Sequence, residues 1–444
     1  MPSTSQNSPF EFRVALAGLG TVGQGVVRLL QEEGPRYRER FGIDLQLVSI
    51  LDRSYQQKDT SWISSSVTWT ESLEDFLGTP SDIVVELIGG MDPADQIIRT
   101  GLEQGKSVVT ANKLVMARCG TEYLKLAARK NSYLGFEASV AGGIPIIRLV
   151  SHSIFPDRVS QVRGILNGTC NFILSEMADG GRDYQDALTQ AQSLGYAEVD
   201  PALDVSGGDA RDKLAILSTL CFHTGIGPDE IPTRGITELV PVDFLYARKL
   251  DSTIKLLGVA ARKGENLCLR VSPFLIDNQL PLSKISGVLN AVEVTGATVG
   301  SVLISGKGAG EGPTAVSVMA DILNAARWKR DTSGAQVAPG MECGSESGQF
   351  DQMVSCGEDE RYPFYVRFIV KDRPGITATL THILAEREIN IDLVLQERWS
   401  DRSNLHFVIT VEPTLFSSMQ EAVAEMKKLD FNSVEPFALP MLKE

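Results

Sequence analysis

Phe12–Gly23 reads FRVALAGLGTVG, a short apolar run followed by three glycines, Gly18, Gly20 and Gly23. The run has the make-up of a buried strand, and Thr21 to Glu33 has helical spacing, so the glycines fall in the turn between strand and helix. That context gives each glycine a task. Gly18 permits a tight turn, Gly20 lets a pyrophosphate approach the backbone, and Gly23 lets the helix pack close to the strand. Thr21 and Val22 open the helix, whose positive end would face the phosphates. The turn reads as a dinucleotide site.

Downstream, LQLVSIL, DIVVELIG, KSVVTAN and SYLGFEASV read as further strands, with helices at 93–104 and 113–130 separating the last three. Strands alternating with helices indicate the α/β class, here a Rossmann-type doubly wound parallel sheet over residues 1–140. Asp52, after the second strand, is the acidic residue expected to meet a ribose diol. It lies 34 positions after Gly18, against about 20 in the short unit, and the insertion GPRYRERFG accounts for the excess. Arg53 follows at once and Lys58 is close, and an arginine there suits a 2′-phosphate. The two signals conflict; together they favour NADP, with NAD tolerated.

Residues 141–328 are less regular and read as an α+β domain inserted into, or packed on, the first. Leu267–Ile276 and Gly287–Val294 have strand character. Within this domain LGYAEVDPALDVSGGDARDKLAIL (Leu194–Leu217) carries Glu198, Asp204, Asp209 and Lys213 on a loop that runs into a helix. Asp209 and Lys213 are four apart and share a helix side. Their stripe continues into the apolar Ile216 and Leu220. A lysine's pKa is easily moved beside such surface, and a carboxylate there can orient a substrate amine. The alternative is an ordinary helix-start ion pair worth about 0.2–0.5 kcal/mol.

Segment 329–360, rich in Gly, Ser and acidic residues, reads as a linker. Residues 361–444 follow the order βαββαβ, that of a ferredoxin-like domain. There Asp372-Arg-Pro-Gly375 joins a strand to a helix expected at 374–387. Pro374 suits a first helical turn, and Gly375 leaves backbone N–H groups accessible to a carboxylate.

The net charge of −14 argues against nucleic acid and anionic membrane as partners. Six scattered cysteines and four histidines without ligand spacing argue against zinc and for free thiols in a reducing cytoplasm. A short polar N-terminus and the lack of a long apolar run argue against secretion and membrane spanning.

Six stretches occur in series: GLGTVG, ELIGG, TANK (110–113), EASVAGGIPI (137–146), GILNGTCNFIL (164–174) and Gly195–Leu217. Together they resemble the homoserine dehydrogenase family over residues 12–328. KDRPGITATLTHILAEREINID looks like an ACT domain, an amino-acid-sensing module. The resemblance implies interconversion of L-homoserine and L-aspartate 4-semialdehyde with a nicotinamide cofactor, in threonine, methionine and isoleucine biosynthesis. It makes Lys213 the proton donor to the carbonyl oxygen and has Glu198 and Asp209 hold the substrate's ammonium and hydroxyl ends. Asp204 supports that loop. Lys113 contacts cofactor and substrate and assists proton transfer, while Gly195 and Gly310 line the cofactor. A sodium ion is implied on backbone oxygens of Glu137, Val140, Gly142 and Ile144. The middle domain would also serve dimerisation, in a homodimer or homotetramer. Paired ACT domains would bind an amino acid, threonine being the natural effector, with Asn390 near it.

One departure is Cys170, where relatives usually carry a hydroxyl. A thiol is a weaker hydrogen-bond partner and can be oxidised, which raises an expectation of redox sensitivity beside the plainer reading of a small buried residue. Two other functions fit these residues less well. An amino-acid-sensing protein without turnover would have little reason to keep Glu198, Asp209 and Lys213 together. An aspartate-semialdehyde dehydrogenase needs a cysteine nucleophile, and no cysteine here has an obvious histidine partner motif.

Overall fold

Strand β1, Phe10–Ala17, lies in the middle of a six-stranded sheet, and Val14 to Ala17 are wholly buried because both faces are covered. The computed structural model describes residues 9–264, 266–331, 360–397 and 401–443. Most of the expected linker, with Cys343 and Cys356, lies outside these. The described residues fall into two compact units, one of 9–158, 215–228 and 306–331, the other of 159–214, 229–305 and 360–443.

In the first unit β1 is joined by β2 (Ile43–Leu51), β3 (Thr68–Thr70), β4 (Ile83–Glu86), β5 (Ser107–Thr110) and β6 (Leu134–Gly135), in the order β3-β2-β1-β4-β5-β6. Every pairing is parallel. The order reverses between β1 and β4, the place where such sheets bind ligands at their carboxyl edge. The expected strand over 132–140 shrinks to β6, and Glu137–Ser139 forms a 3-10 turn. The helix opened by Thr21 runs to Phe41, so the insertion lengthens it through Pro35. One lost amide donor is offset there by buried Tyr37, its stack on Phe41 and the Arg38–Asp44 bridge at 2.6 Å. Helix Glu311–Asp331, distant in sequence, places Ala315, Val318, Met319 and Ile322 in the same core as Val14, Leu16 and Val26.

The second unit is built on a nine-stranded sheet. Its strands are β7 (Val159–Ile165), β8 (Ser252–Lys263), β9 (Asn266–Asp277), β10 (Leu289–Gly296), β11 (Gly300–Lys307), β12 (Arg361–Val370), β13 (Ile391–Gln396), β14 (Leu405–Leu415) and β15 (Asn432–Leu442). The order is β11-β10-β7-β8-β9-β15-β12-β14-β13. Strands β12 to β15, with helices Ile376–Ala385 and Phe416–Met426, give the expected βαββαβ module. Its last strand pairs in parallel with β9 through Met441–Leu275 and Leu442–Ile276, so the module extends the middle region's sheet. One apolar core, including Phe274, Ile276, Tyr362, Phe364 and Phe407, runs across that junction. Among the described residues no helix is long and apolar enough to cross a membrane. Cys119, Cys170 and Cys221 are free thiols.

Candidate active site

In the first unit the glycine turn divides its labour as the sequence implies. Gly18 has φ +98°, and a Cβ there would lie 2.7 Å from the Leu87 carbonyl oxygen. A Cβ on Gly23 would sit 2.1 Å from the Gly18 carbonyl oxygen, so only glycine lets the helix start cross the strand end. Gly20 differs: its φ is −77°, and a Cβ would meet nothing within 4 Å. The protein's own packing does not need glycine at 20. Gly20 caps the helix with no side-chain bond, leaving the turn beside Thr21 and Val22 uncovered by a capping group.

Asp52 is buried and committed elsewhere than to a ribose. One carboxylate oxygen accepts from Leu19 N–H (2.8 Å) and Lys58 Nζ (2.7 Å), the other from the Ser54 amide and hydroxyl (2.7 and 2.9 Å). Burial alone would push this carboxyl up, but the Lys58 ammonium and the Ser54 and Leu19 donors more than offset it and hold it below the usual carboxylate range. Lys58 also donates to the Leu19 carbonyl at 2.9 Å. Lys58 and Asp52 thus brace the glycine turn, and exposed Arg53 lies between them in sequence on the same loop.

Glu86, the first residue of ELIGG, is fully buried at the end of β4. It accepts from Ile88 and Gly89 N–H (2.8 and 3.1 Å) and from the Thr110 hydroxyl (2.6 Å). Asn112 donates to the Gly90 carbonyl at 2.7 Å and caps helix Lys113–Arg129. One buried acid and one amide therefore fix the loops after β4 and β5, and with them Lys113 at the helix start. A buried carboxylate closing a strand was the available signal.

Gly310 (φ +118°) precedes helix Glu311–Asp331. Glu137 accepts from Ile147 and Arg148 N–H (2.8 and 2.9 Å), and Asp321 accepts from Glu137 N–H at 2.8 Å and Arg148 Nη2 at 3.3 Å. Burial, then the facing Asp321 charge, pushes Glu137 up to about 7, and burial pushes Asp321 up to about 6 despite Arg148. Raised carboxyls bind protons in the folded state that the unfolded chain has released. Their stabilisation is complete below the ordinary carboxylate range and is lost as pH rises through about 7. The melting temperature of the protein should therefore fall between pH 5.5 and 8. Asp321→Asn should flatten that slope by the equivalent of about 1–3 kcal/mol; an unchanged slope would mean that the pair does not titrate in this window. Among the described residues no cluster of three or more His, Cys, Asp or Glu could hold a metal.

In the second unit Asp209 and Lys213 share one side of helix Gly208–Phe222, as their spacing predicts. Lys213 Nζ donates to Asp209 Oδ2 and to the Leu166 carbonyl oxygen, both at 2.8 Å. This is not a solvated surface pair, since the side chains are only 12% and 3% exposed. Asn167 Nδ2 donates to Asp204 Oδ1 at 2.7 Å and Asp209 Oδ2 at 2.8 Å, and its Oδ1 caps helix Gly168–Gly180 by accepting from Cys170 N–H. The motif GILNGTCNFIL thus meets the acidic loop, a pairing across some 40 positions that no local pattern announces. The Thr169 hydroxyl ties the same motif to the loop through the Tyr196 carbonyl at 2.6 Å. Glu198 is exposed on that loop, and Gly195 sits just before it with φ +74°. Cys170 is wholly buried, and burial with the nearby Asp204 and Asp209 charges pushes its thiol well above its ordinary range. A protonated, inaccessible thiol is inert, so the small-residue reading holds over redox sensitivity.

In the βαββαβ module Gly375 (φ +94°) caps helix Ile376–Ala385, with no side-chain cap. Pro374 therefore precedes the helix. Asp372 N–H donates to the Arg402 carbonyl, and Asn390 Nδ2 donates to Glu412 Oε2 at 3.1 Å.

Three family models match the chain: homoserine dehydrogenase, NAD binding domain, over residues 18–137; homoserine dehydrogenase over 145–323; and the ACT domain over 364–431. A homoserine dehydrogenase of Neisseria gonorrhoeae is 36% identical over 418 residues, 94% of this chain and 95% of that protein. The solved homoserine dehydrogenase of Thiobacillus denitrificans superposes with a TM-score of 0.90 at 35% identity, covering 98% of this chain and 99% of that one. A hyperthermophilic archaeal homoserine dehydrogenase mutant, solved in complex with NADPH, matches 74% of this chain and 100% of its own, with a TM-score of 0.62 at 26% identity.

Proposed function

The chain belongs to the homoserine dehydrogenase family and includes an ACT domain, and on that premise we propose which of its residues carry the reaction. The reaction interconverts L-homoserine and L-aspartate 4-semialdehyde with a nicotinamide cofactor, an oxidoreduction at a CH–OH group within amino-acid biosynthesis. The observation that carries the assignment of roles is the partly buried Lys213 ammonium. Two of its three protons go to the Leu166 carbonyl and Asp209, which leaves a third for a substrate oxygen.

When bound, the nicotinamide supplies or accepts the hydride. As charge develops on the aldehyde oxygen, Lys213 stabilises it and delivers the proton. In the oxidative direction the same amine must be neutral to accept the hydroxyl proton, so alkaline pH favours oxidation. Glu198 and Asp209 hold the substrate's ammonium and hydroxyl ends, and Asp204 keeps the loop in place through Asn167. Lys113, presented at the edge of β5, orients cofactor and substrate and assists the proton transfer.

Gly18, Gly20, Thr21, Val22 and Gly23 hold the pyrophosphate, with Gly195 and Gly310 as further cofactor-lining turns. Arg53 takes the 2′-phosphate of NADP, a preference supported by the commitment of Asp52 to Lys58, Ser54 and Leu19. Backbone oxygens of Glu137, Val140, Gly142 and Ile144 would hold a sodium ion. Ala141 and Gly142 have positive φ (+54° and +46°), which breaks the chain from an extended course. A carbonyl that already accepts one hydrogen bond, as Gly142 does from Ser317, keeps a second lone pair. The ion would fix this turn. In the ACT domain Asp372, Gly375 and Asn390 form the amino-acid site, threonine being the effector, within a homodimer or homotetramer.

A homoserine oxidation assay at 340 nm tests the cofactor and effector assignments together. NADP should give the higher kcat/KM, Arg53→Ala should erode that preference about tenfold or more with NAD little changed, and threonine should lower the rate. Equal use of both cofactors by wild type and variant would remove Arg53 from its role, and indifference to threonine would remove the effector.

A further inference from the structure

Each acceptor that holds Lys213 is shared with a buried asparagine amide. Asp209 Oδ2 also accepts from Asn167 Nδ2 at 2.8 Å, and the Leu166 carbonyl also accepts from Asn290 Nδ2 at 2.9 Å. Asn167, directly after Leu166, and Asn290, on β10, are 5% and 1% exposed. The Asn290 amide is the more telling, because its Oδ1 is buried with no hydrogen-bond partner among the described residues. An unsatisfied buried oxygen is costly, and an apolar side chain of the same shape would serve packing better. What an amide adds at this position is its N–H on the Leu166 carbonyl.

We propose that Asn167 and Asn290 are positioning residues that set the aim and the proton affinity of the Lys213 ammonium. The proposal rests on the reading of Lys213 as the acid and base of the reaction. An acceptor that already takes one N–H offers less negative charge to a second donor, so the pair holds the protonated amine less tightly than two undivided acceptors would. Two fixed acceptors also leave the third proton one heading. The charged or titratable groups around the amine in this unit are Asp209 on its own helix, Asp204 on the preceding turn and the buried, protonated Cys170 on helix Gly168–Gly180.

Two variants of the full-length protein test this. Asn167→Ser keeps a side-chain oxygen to cap the helix but loses the N–H groups on Asp204 and Asp209. Asn290→Leu loses the N–H on Leu166 together with the unsatisfied oxygen. In both, Lys213 should bind its proton more tightly. The acid limb of kcat/KM for homoserine oxidation should then move to higher pH by roughly 0.5–1 unit, with the KM for the cofactor unaltered. Asn290→Leu should keep or raise the melting temperature. A merely structural role would instead lower the melting temperature and leave the limb where it was. Unshifted limbs in folded variants overturn the proposal, and Asn290→Leu decides alone should Asn167→Ser fail to fold. Lys213→Ala is run alongside. Retained activity there refutes the acid–base reading itself, whereas an inactive Lys213→Ala with unshifted asparagine variants refutes only the positioning role.

Discussion

Lys213→Ala should lower turnover in both directions by about 10²- to 10⁴-fold, the range over which a positioned proton donor contributes. On the proposed role, the variant removes the ammonium that would meet the developing oxyanion and that donates to Asp209 Oδ2 and the Leu166 carbonyl. Cofactor affinity should survive, because the glycine turn is built by β1, β4 and helix Thr21–Phe41 within the first unit. Lys213→Arg should not rescue oxidation. A guanidinium keeps the positive charge but does not give up its proton, and its planar fork cannot copy a tetrahedral ammonium between two fixed acceptors. Steady-state rates in both directions, with cofactor binding followed by fluorescence, separate these effects. Wild-type-like turnover in Lys213→Ala would remove the residue from catalysis.

Gly23→Ala should disable the cofactor site outright. Its Cβ would fall 2.1 Å from the Gly18 carbonyl oxygen, a clash with backbone that no rotamer relieves. Either the turn opens or the helix withdraws from the strand, and overpacking of this kind costs about 1–3 kcal/mol or more. The melting temperature should fall by several degrees and cofactor affinity by at least about a hundredfold. Gly20→Ala is the informative contrast. With negative φ and open space around the new methyl, it should melt like wild type yet bind cofactor more weakly, since the methyl would occupy the approach of the pyrophosphate. A Gly20→Ala protein with unchanged affinity would place the phosphates elsewhere.

Local signals in the sequence carry far, and contacts between distant segments do not. The strand–turn–helix at Gly18–Gly23 is legible because each glycine answers a constraint within a dozen residues, and the βαββαβ module because its elements are consecutive. Helix Glu311–Asp331 is not legible as part of the first core, since its contacts with helix Thr21–Phe41 span some 300 positions and leave no periodic trace. The parallel junction of β15 with β9 escapes for the same reason. In the site, the i,i+4 pair of Asp209 and Lys213 emerges from helical spacing alone, whereas the Asn167 bridge between Asp204 and Asp209 requires two segments to meet in space. Asp52 teaches a different lesson. An acidic residue in the ribose position can be turned inward by a neighbouring lysine, and a motif reading sees the carboxylate without its partner.

The proposed chemistry requires the Lys213 ammonium to face the reacting oxygen. A crystal structure of the protein with NADP and L-homoserine would show whether it does. Lys213 Nζ should lie within about 2.6–3.2 Å of the homoserine hydroxyl oxygen, with its contacts to Asp209 and Leu166 kept. A hydroxyl bound beyond hydrogen-bond reach of Lys213, with another group in contact with it, would rule Lys213 out as the proton donor.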